Sequence, residues 1–445
     1  MYIFTKLRFG LYISLYFISI LFSCSPREFE QPNIILIMAD DLGYGDIGSY
    51  GNNEILTPSL DKLASEGLRF TDFHSNGSIC SPTRAALLTG RYQQRSGIQG
   101  VIYARGDTRQ TGLAIEELTF ADYLKSVGYK TGIVGKWHLG YRIDYNPIYQ
   151  GFDYFRGYVS GNVDYHSHMD GVGIPDWWHD LEKIDEEGYV TDLITDYSIE
   201  FIEKNKDHPF CLYVAHEAPH YPFQGRSDKA DRFTGKRFPA HGNRKDKQGA
   251  YKEMIEVMDE GVGKIMSKLE ELKLNDNTLV IFCSDNGGLG EIGNNGNLRG
   301  SKGALWEGGH RVPAIAYWPR YIKAGSVSNE TILSMDFFPT FVNLSKANTK
   351  QDFKFDGVDI TRHLIEAKEL PDRTLFWKYR NQKVARHDNW KLVMDNDTLH
   401  LYDLKTDLQE QIDLIDAEES IVSQLKIELD KWENDVAKGV KMKTE

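Results

Sequence analysis

Apolar and polar positions along this chain fall into two textures. Over the first three quarters, short unbroken apolar runs alternate with longer amphipathic stretches. Asn33-Ile34-Ile35-Leu36-Ile37-Met38-Ala39 is a continuous apolar run that stops at Asp40-Asp41. A run of that kind suits a strand buried on both faces of a parallel sheet. Thr131 to Gly135, Phe210 to Ala215 and Thr278 to Cys283 have the same character. Between them, Thr57 to Ala64, Leu118 to Leu124, Ile194 to Lys204 and Tyr251 to Leu272 read as helices, the first with Pro58 near its start. This alternation predicts an α/β fold with a large central, mostly parallel mixed sheet flanked by helices.

From about residue 350 the texture changes. Leu375 to Trp377, Lys383 to Arg386, Trp390 to Val393 and Leu399 to Tyr402 are short strands with hairpin-length gaps, followed by an amphipathic helix from Ser420 to Val436. They predict a small antiparallel sheet with one helix. The division expected is a main domain over 32–348 and a C-terminal α+β subdomain over 349–445.

Polar residues sit at the ends of the strand-like runs: Asp40-Asp41, Lys136 and His138, His216 and His220, Asp285-Asn286. Open α/β sheets bind ligands beyond the carboxyl ends of their strands. One pocket would collect all of these residues.

The N-terminus reads as a targeting segment. Lys6 and Arg8 precede the apolar run Leu11 to Phe22. That run is short of the roughly 20 apolar residues a membrane span needs, but it suits a signal h-region. Leu21-Phe22-Ser23-Cys24 resembles a bacterial lipobox, with Cys24 as the lipidated first residue of the mature chain. The expectation is a signal peptide over 1–23, a tether over 24–31, and a lipoprotein of the bacterial cell envelope, periplasmic or outer-membrane-anchored. Its only membrane contact would be the lipid. An ordinary secretory signal, giving a secreted protein, or an uncleaved anchor is the alternative.

Composition then narrows the function. The 445 residues are 41% hydrophobic and 26% charged, with 24 Tyr and 22 Phe, enough for a large core. At roughly 150 residues per domain the length allows two to three domains. A net charge of −13 argues against a generic binder of nucleic acid or anionic membrane. Of the four cysteines, Cys211 and Cys283 lie in strand-like runs and read as core thiols. The sequence leaves a disulfide between them open.

Cys80 differs. It opens Cys80-Ser81-Pro82-Thr83-Arg84, which leads into Ala85-Ala86-Leu87-Leu88-Thr89-Gly90-Arg91. A residue close before proline is pushed toward extended geometry, so Cys80 is expected in a turn. Pro82 suits the first turn of a helix, and the alanines and leucines continue it. Cys80 would then sit at a helix N-terminus, where backbone donors favour an anion. Arg84 lies one turn on, facing the same way. The plain alternative is a buried thiol.

The segment from Ser78 to Arg91 resembles the first signature of the type I, formylglycine-dependent sulfatases of the alkaline phosphatase-like superfamily. Gly128 to Gly140 resembles that family's second signature, Asp40 to Asp46 its first metal segment, and Ser284 to Gly288 its second. Ala218-Pro219-His220 and Leu298 to Gly303 resemble two sulfate-contact segments. Met335 to Thr340, Asp356 to Asp359, Trp390-Lys391-Leu392 and Leu401 to Leu404 are similar to further family segments, so the likeness runs from about residue 32 to 415.

The resemblance implies a sulfuric ester hydrolase. Cys80 would be oxidised to formylglycine by a maturation enzyme. One hydroxyl of its hydrate would displace the alcohol from sulfur, giving a covalent sulfo-enzyme. Deprotonating the second would expel sulfate. Asp40, Asp41, Asp285 and Asn286, with the modified Cys80, would hold one calcium ion, as hard oxygen ligands favour. Lys136 and Lys302 would bind sulfate, and Arg84 would orient the formylglycine. His138 would take a proton from the hydrate. His220, helped by Lys302, would protonate the leaving alcohol. Each acid–base group contributes roughly 10²–10⁴-fold.

A competing motif needs weighing. His216-Glu217-Ala218-Pro219-His220 satisfies the His-Glu-x-x-His zinc protease pattern. That chemistry needs both histidines on one helical face, and Pro219 argues against a helix there. The expected substrate is a sulfated polysaccharide or derived oligosaccharide. Tyr158, Tyr165, His166, His168, Trp177 and Trp178 would form an aromatic sugar-binding rim, and Tyr103, Arg105 and Arg109 the opposite wall. His310 is counted with the substrate contacts. Ordinary loop packing is the alternative for the rim. Small aryl or alkyl sulfates, phosphodiesters or phosphonate monoesters, and a catalytically silent glycan-binding protein are the competing functions.

Overall fold

The computed structural model describes residues 30–348 and 353–438. The expected signal segment and the lipid site at Cys24 lie outside these residues.

Asn33–Ala39 forms the middle of the sheet and is buried at every position. It pairs in parallel with Phe210–Ala215 on one side and Thr278–Ser284 on the other. Strand side chains alternate between faces. Ile35 and Ile37 join a core with Val134, Val214 and Phe282. The helices Pro58–Glu66, Val190–Asn205 and Lys247–Glu271 add Leu63, Ile194 and Met254 to it. The alternate residues Ile34, Leu36 and Met38 are equally buried. A second group of helices, Cys80–Thr89, Phe120–Ser126 and Phe337–Ser345, packs together. Burial on both faces is why this run carries no polar alternation. Each buried Ile or Leu contributes about 1.5–3 kcal/mol.

Among the described residues the sheet has ten strands. Lys130–Lys136 pairs in parallel with Phe210–Ala215 and then with Tyr154–Tyr158. At the other side Ala314–Tyr317 runs antiparallel to Thr278–Ser284, and Leu68–Phe70 and Ser326–Ser328 complete that edge. The predicted strands and helices are present, with ends shifted by a few residues. The short edge strands were not predicted, because two or three residues carry no readable period.

The C-terminal part is the expected antiparallel sheet: Thr374–Tyr379, Gln382–His387, Trp390–Asp395 and Thr398–Asp403 in sequential order. Helix Glu419–Val436 lays Leu425, Leu429 and Trp432 on Trp377, Val384, Leu392 and Leu401. Tyr92 and Trp306 from the main body enter the same core. Trp377 Nε1 donates to the Ser75 carbonyl at 2.9 Å.

Cys211 and Cys283 form no disulfide. Cys211 stands opposite Ile34 and Cys283 opposite Met38, on the two strands that flank Asn33–Ala39. Two strand spacings, about 9–10 Å, exceed the roughly 7 Å Cα separation a disulfide tolerates. Among the described residues no helix is long and apolar enough to cross a membrane.

Candidate active site

Parallel strands point their carboxyl ends the same way, so four strand ends deliver their polar residues to one edge. Asp40-Asp41 follows Ala39, Lys136 closes its strand, and His220 and Asp285-Asn286 follow the other two. Asp41 and His138 take left-handed backbone angles, φ 66° and 57°. Such angles are uncommon outside glycine.

Cys80 sits at the floor of a cavity of about 600 Å³. It is the first residue of helix Cys80–Thr89 rather than part of a preceding turn. Ile79 is the extended residue, at φ −150° and ψ 157°. Proline at the third helical position sacrifices no bond, because the first-turn N–H groups lack intrahelical acceptors. Thr83 Oγ1 donates to the Gly77 carbonyl at 3.0 Å and ties the approach loop to the helix.

Arg84 is fully buried, 2.8 Å from Asp285 and 4.0 Å from Asp40. Lys136 Nζ lies 2.5 Å from Asp40 Oδ2. Lys302 Nζ lies 2.6 Å from Asp41 Oδ1, and His220 Nε2 is 3.6 Å from Asp41 Oδ2. Asn286 Nδ2 donates to Asp41 at 2.7 Å. His138 Nε2 meets the Ile102 carbonyl at 3.1 Å, and its Nδ1 is buried without a partner.

Burial, reinforced by Asp285, pushes the Asp40 carboxyl up to about 8, although Lys136 opposes this. Burial acts on Asp41 in the same sense, but Lys302 and His220 hold it down at about 2. Burial raises the Cys80 thiol, so it is not an activated thiolate. Burial, with Lys136 and Arg84, holds His138 well below the usual range. Burial and Lys302 do the same for His220.

The donor set fits a hard dication. Asp40, Cys80 and Asp285 offer ligand atoms within 4.8 Å of one another, as do Asp40, Asp41 and His220. Asp40 Oδ1 and Asn286 Oδ1 are buried without hydrogen-bond partners. Unsatisfied buried oxygens aimed into a carboxylate cluster are what an oxygen-seeking cation would satisfy.

The expected aromatic rim is not on the cavity wall. Tyr165, His168, Trp177 and Trp178 are buried. Trp177 stacks on His168 and donates to Glu186, Trp178 donates to Asp176, and Tyr158 packs on Trp177. Tyr165 OH donates to the His220 carbonyl at 2.9 Å, so it supports the site from behind. His166 bonds the Gly225 carbonyl. These rings close the sheet edge, and sequence density alone does not separate that task from sugar stacking. His310 is also misplaced by the sequence reading. It is fully buried, 2.8 Å from His74, beneath the C-terminal sheet.

Tyr103 and Arg105 do line the cavity. Arg109 instead pairs with Asp170 at 3.1 Å and lies over the Tyr141 ring. Tyr141, Asn162, Arg232, Tyr379 and Arg380 are wall residues the sequence reading missed. Tyr379 and Arg380 come from the first hairpin of the C-terminal sheet, where no motif marks them. The His216–His220 segment is not helical. Its two histidines therefore share no helical face, which the zinc protease pattern requires.

Residues 32–347 match the sulfatase family, and residues 301–435 match the N-sulphoglucosamine sulphohydrolase C-terminal family. The chain belongs to the sulfatase family. Arylsulfatase A of Bos taurus is 36% identical over 382 residues, covering 78% of this chain and 70% of that protein. N-acetylgalactosamine-6-sulfatase of Homo sapiens is 34% identical over 370 residues, covering 78% and 68%. The crystal structure of Ps i-CgsB superposes with a TM-score of 0.84 at 31% identity, covering 93% of this chain and 94% of that one. Phosphonate monoester hydrolase of Agrobacterium radiobacter shares the fold at 19% identity and a TM-score of 0.65. This sulfatase hydrolyses sulfate esters.

Proposed function

We propose that this sulfatase removes sulfate from a carbohydrate, using Cys80 matured to formylglycine. The observation that carries the reading is the position of Cys80: a raised, unreactive thiol at the cavity floor, ringed by carboxylates and lysines. As encoded it is a poor nucleophile. As formylglycine it would supply an aldehyde hydrate whose hydroxyl attacks sulfur.

Asp40, Asp41, Asp285 and Asn286 would hold one calcium ion, which when bound draws in sulfate oxygens and offsets their charge. Lys136 and Lys302 would bind the same oxygens. The histidine tautomers follow from their partners. His138 Nε2–H donates to Ile102, leaving Nδ1 as a base. His220 Nδ1–H donates to the Tyr221 carbonyl at 2.6 Å. In the neutral ring Nε2, beside Asp41, then carries no proton, and it would protonate the leaving oxygen only after taking one up.

Two relatives support a sugar substrate. Human N-acetylgalactosamine-6-sulfatase is named for one, and Ps i-CgsB, at 30% identity, has a structure in complex with k-i-k-neocarrahexaose. The N-terminal lipobox-like sequence supports a lipid anchor in the bacterial envelope, and Cys80 requires a formylglycine-generating enzyme as partner.

The test is release of sulfate from sulfated oligosaccharides, set against aryl sulfates and phosphodiesters. Faster release from a sugar class supports the reading. Turnover confined to aryl sulfates or phosphodiesters overturns it.

A further inference from the structure

The cavity above Cys80 carries more positive charge than one sulfate ester requires. Among the described residues its walls include Lys302, Arg105, Arg232 and Arg380 and no carboxylate. The whole chain is acidic, with 65 Asp and Glu against 52 Lys and Arg, so this concentration of cations is local. Lys302 is engaged by Asp41. The arginines have no such role in the reaction.

Arg232 is the most informative of them. It is 1% exposed, yet it is one of the residues lining the cavity. Its Nε is buried without a partner. Its Nη1 reaches only backbone carbonyls, those of Met169 at 3.3 Å and Asn162 at 3.4 Å. Burying a cation without a paired anion is costly.

Two of the three acids that act on Arg232 are otherwise occupied. Asp170 pairs with Arg109. Asp164 accepts the backbone N–H groups of Asp231 and Arg232. Glu217 accepts from Val163 N at 2.8 Å and burial raises its carboxyl well above the usual range; it acts on Arg232 through its charge, with no hydrogen bond between the two side chains among the described residues. Beside Arg232 on the same wall, Asn162 presents a buried Oδ1 with no partner. A guanidinium and an amide acceptor side by side match an anionic group next to a hydroxyl.

We propose that the substrate carries a second anion, distinct from the ester cleaved, and that Arg232 binds it while Asn162 accepts a neighbouring sugar hydroxyl. The second anion is a sulfate ester or a uronate carboxylate, and Arg105 and Arg380 attract it at the mouth. This rests on the carbohydrate reading above.

The test compares kcat/KM on three matched oligosaccharides: monosulfated, disulfated, and monosulfated with a neighbouring uronate. The wild-type enzyme is expected to prefer one of the dianionic sugars by roughly tenfold or more, the factor one charged hydrogen bond carries. Which one it prefers identifies the anion. Arg232→Gln is expected to lose about 10- to 100-fold on that sugar and to leave the monosulfated one unchanged. Arg232→Lys should recover part of the loss.

Equal wild-type rates on all three sugars overturn the second-anion site while leaving the carbohydrate function intact. So does an equal loss on all three in Arg232→Gln. The wild-type comparison decides the matter even where the variant fails to fold. Release from none of the sugars overturns the carbohydrate reading and this inference together.

Discussion

Arg84 and Asp285 form a buried ion pair, 2.8 Å from Nη2 to Oδ2, with side chains 1% and 0% exposed. The pair joins the helix that presents Cys80 to the strand end that presents Asp285. Removing the cation leaves Asp285 and Asp40, both fully buried, without it. Arg84→Met is expected to cost about 3–5 kcal/mol, read as a lower urea midpoint, and to abolish sulfate release. A variant with wild-type stability and activity would refute the pairing's importance.

Three buried carboxylates gathered around Asn286 favour a dication in the folded state alone. Chelation is expected to lower Tm and calcium to restore it. A ligand at 100 times its Kd adds about 2.7 kcal/mol. In Asp41→Asn the response to chelator should be weakened. An unchanged Tm on chelation of metal-loaded protein would count against the site.

Glu217 gives a pH signature. Its folded carboxyl titrates well above 4.5 because of burial. A raised acid stabilises the fold fully below its unfolded value and loses that contribution as pH rises toward the folded one. Glu217→Gln keeps an acceptor for Val163 N–H and cannot ionise. Its Tm advantage over wild type is expected to widen from pH 5 upward. A difference constant with pH would show that Glu217 does not titrate abnormally.

Lys391 anchors the C-terminal sheet to the main body. Its Nζ is 2.9 Å from Glu307 and 2.7 Å from Glu410, all three side chains fully buried. Lys391→Met leaves two acids facing each other and is expected to cost about 3–5 kcal/mol in urea unfolding. Loss below 1 kcal/mol, on the order of a surface change, would show that the cluster relaxes.

The two aromatic groups should respond in opposite ways. Tyr103 is 53% exposed at the cavity, so Tyr103→Ala is expected to raise KM with Tm unchanged. Trp177 is buried, so Trp177→Ala should cost about 3–5 kcal/mol and leave the order of substrates unchanged. The reverse pattern would restore the rim that sequence suggested.

The legible parts of this protein share a physical cause. Runs such as Asn33–Ala39 are buried on both faces, so their apolar continuity survives in the sequence. Asp40, Lys136 and Asp285 sit where parallel strands end, a position that topology makes functional. Arg232, Tyr379 and Arg380 reach the cavity from an irregular segment and a distant hairpin, which no local pattern encodes. Trp177 and His168 look alike as sugar platforms or as packing, and only burial separates the two. His310 failed for the same reason: a histidine near a motif gives no sign of facing inward.

The most direct measurement is the mass of the Cys80 peptide, set against specific activity across preparations matured to different extents. Sulfate release is expected to rise in proportion to the fraction carrying the aldehyde and to vanish in Cys80→Ala. Full activity from protein whose Cys80 remains an unmodified thiol would contradict the account.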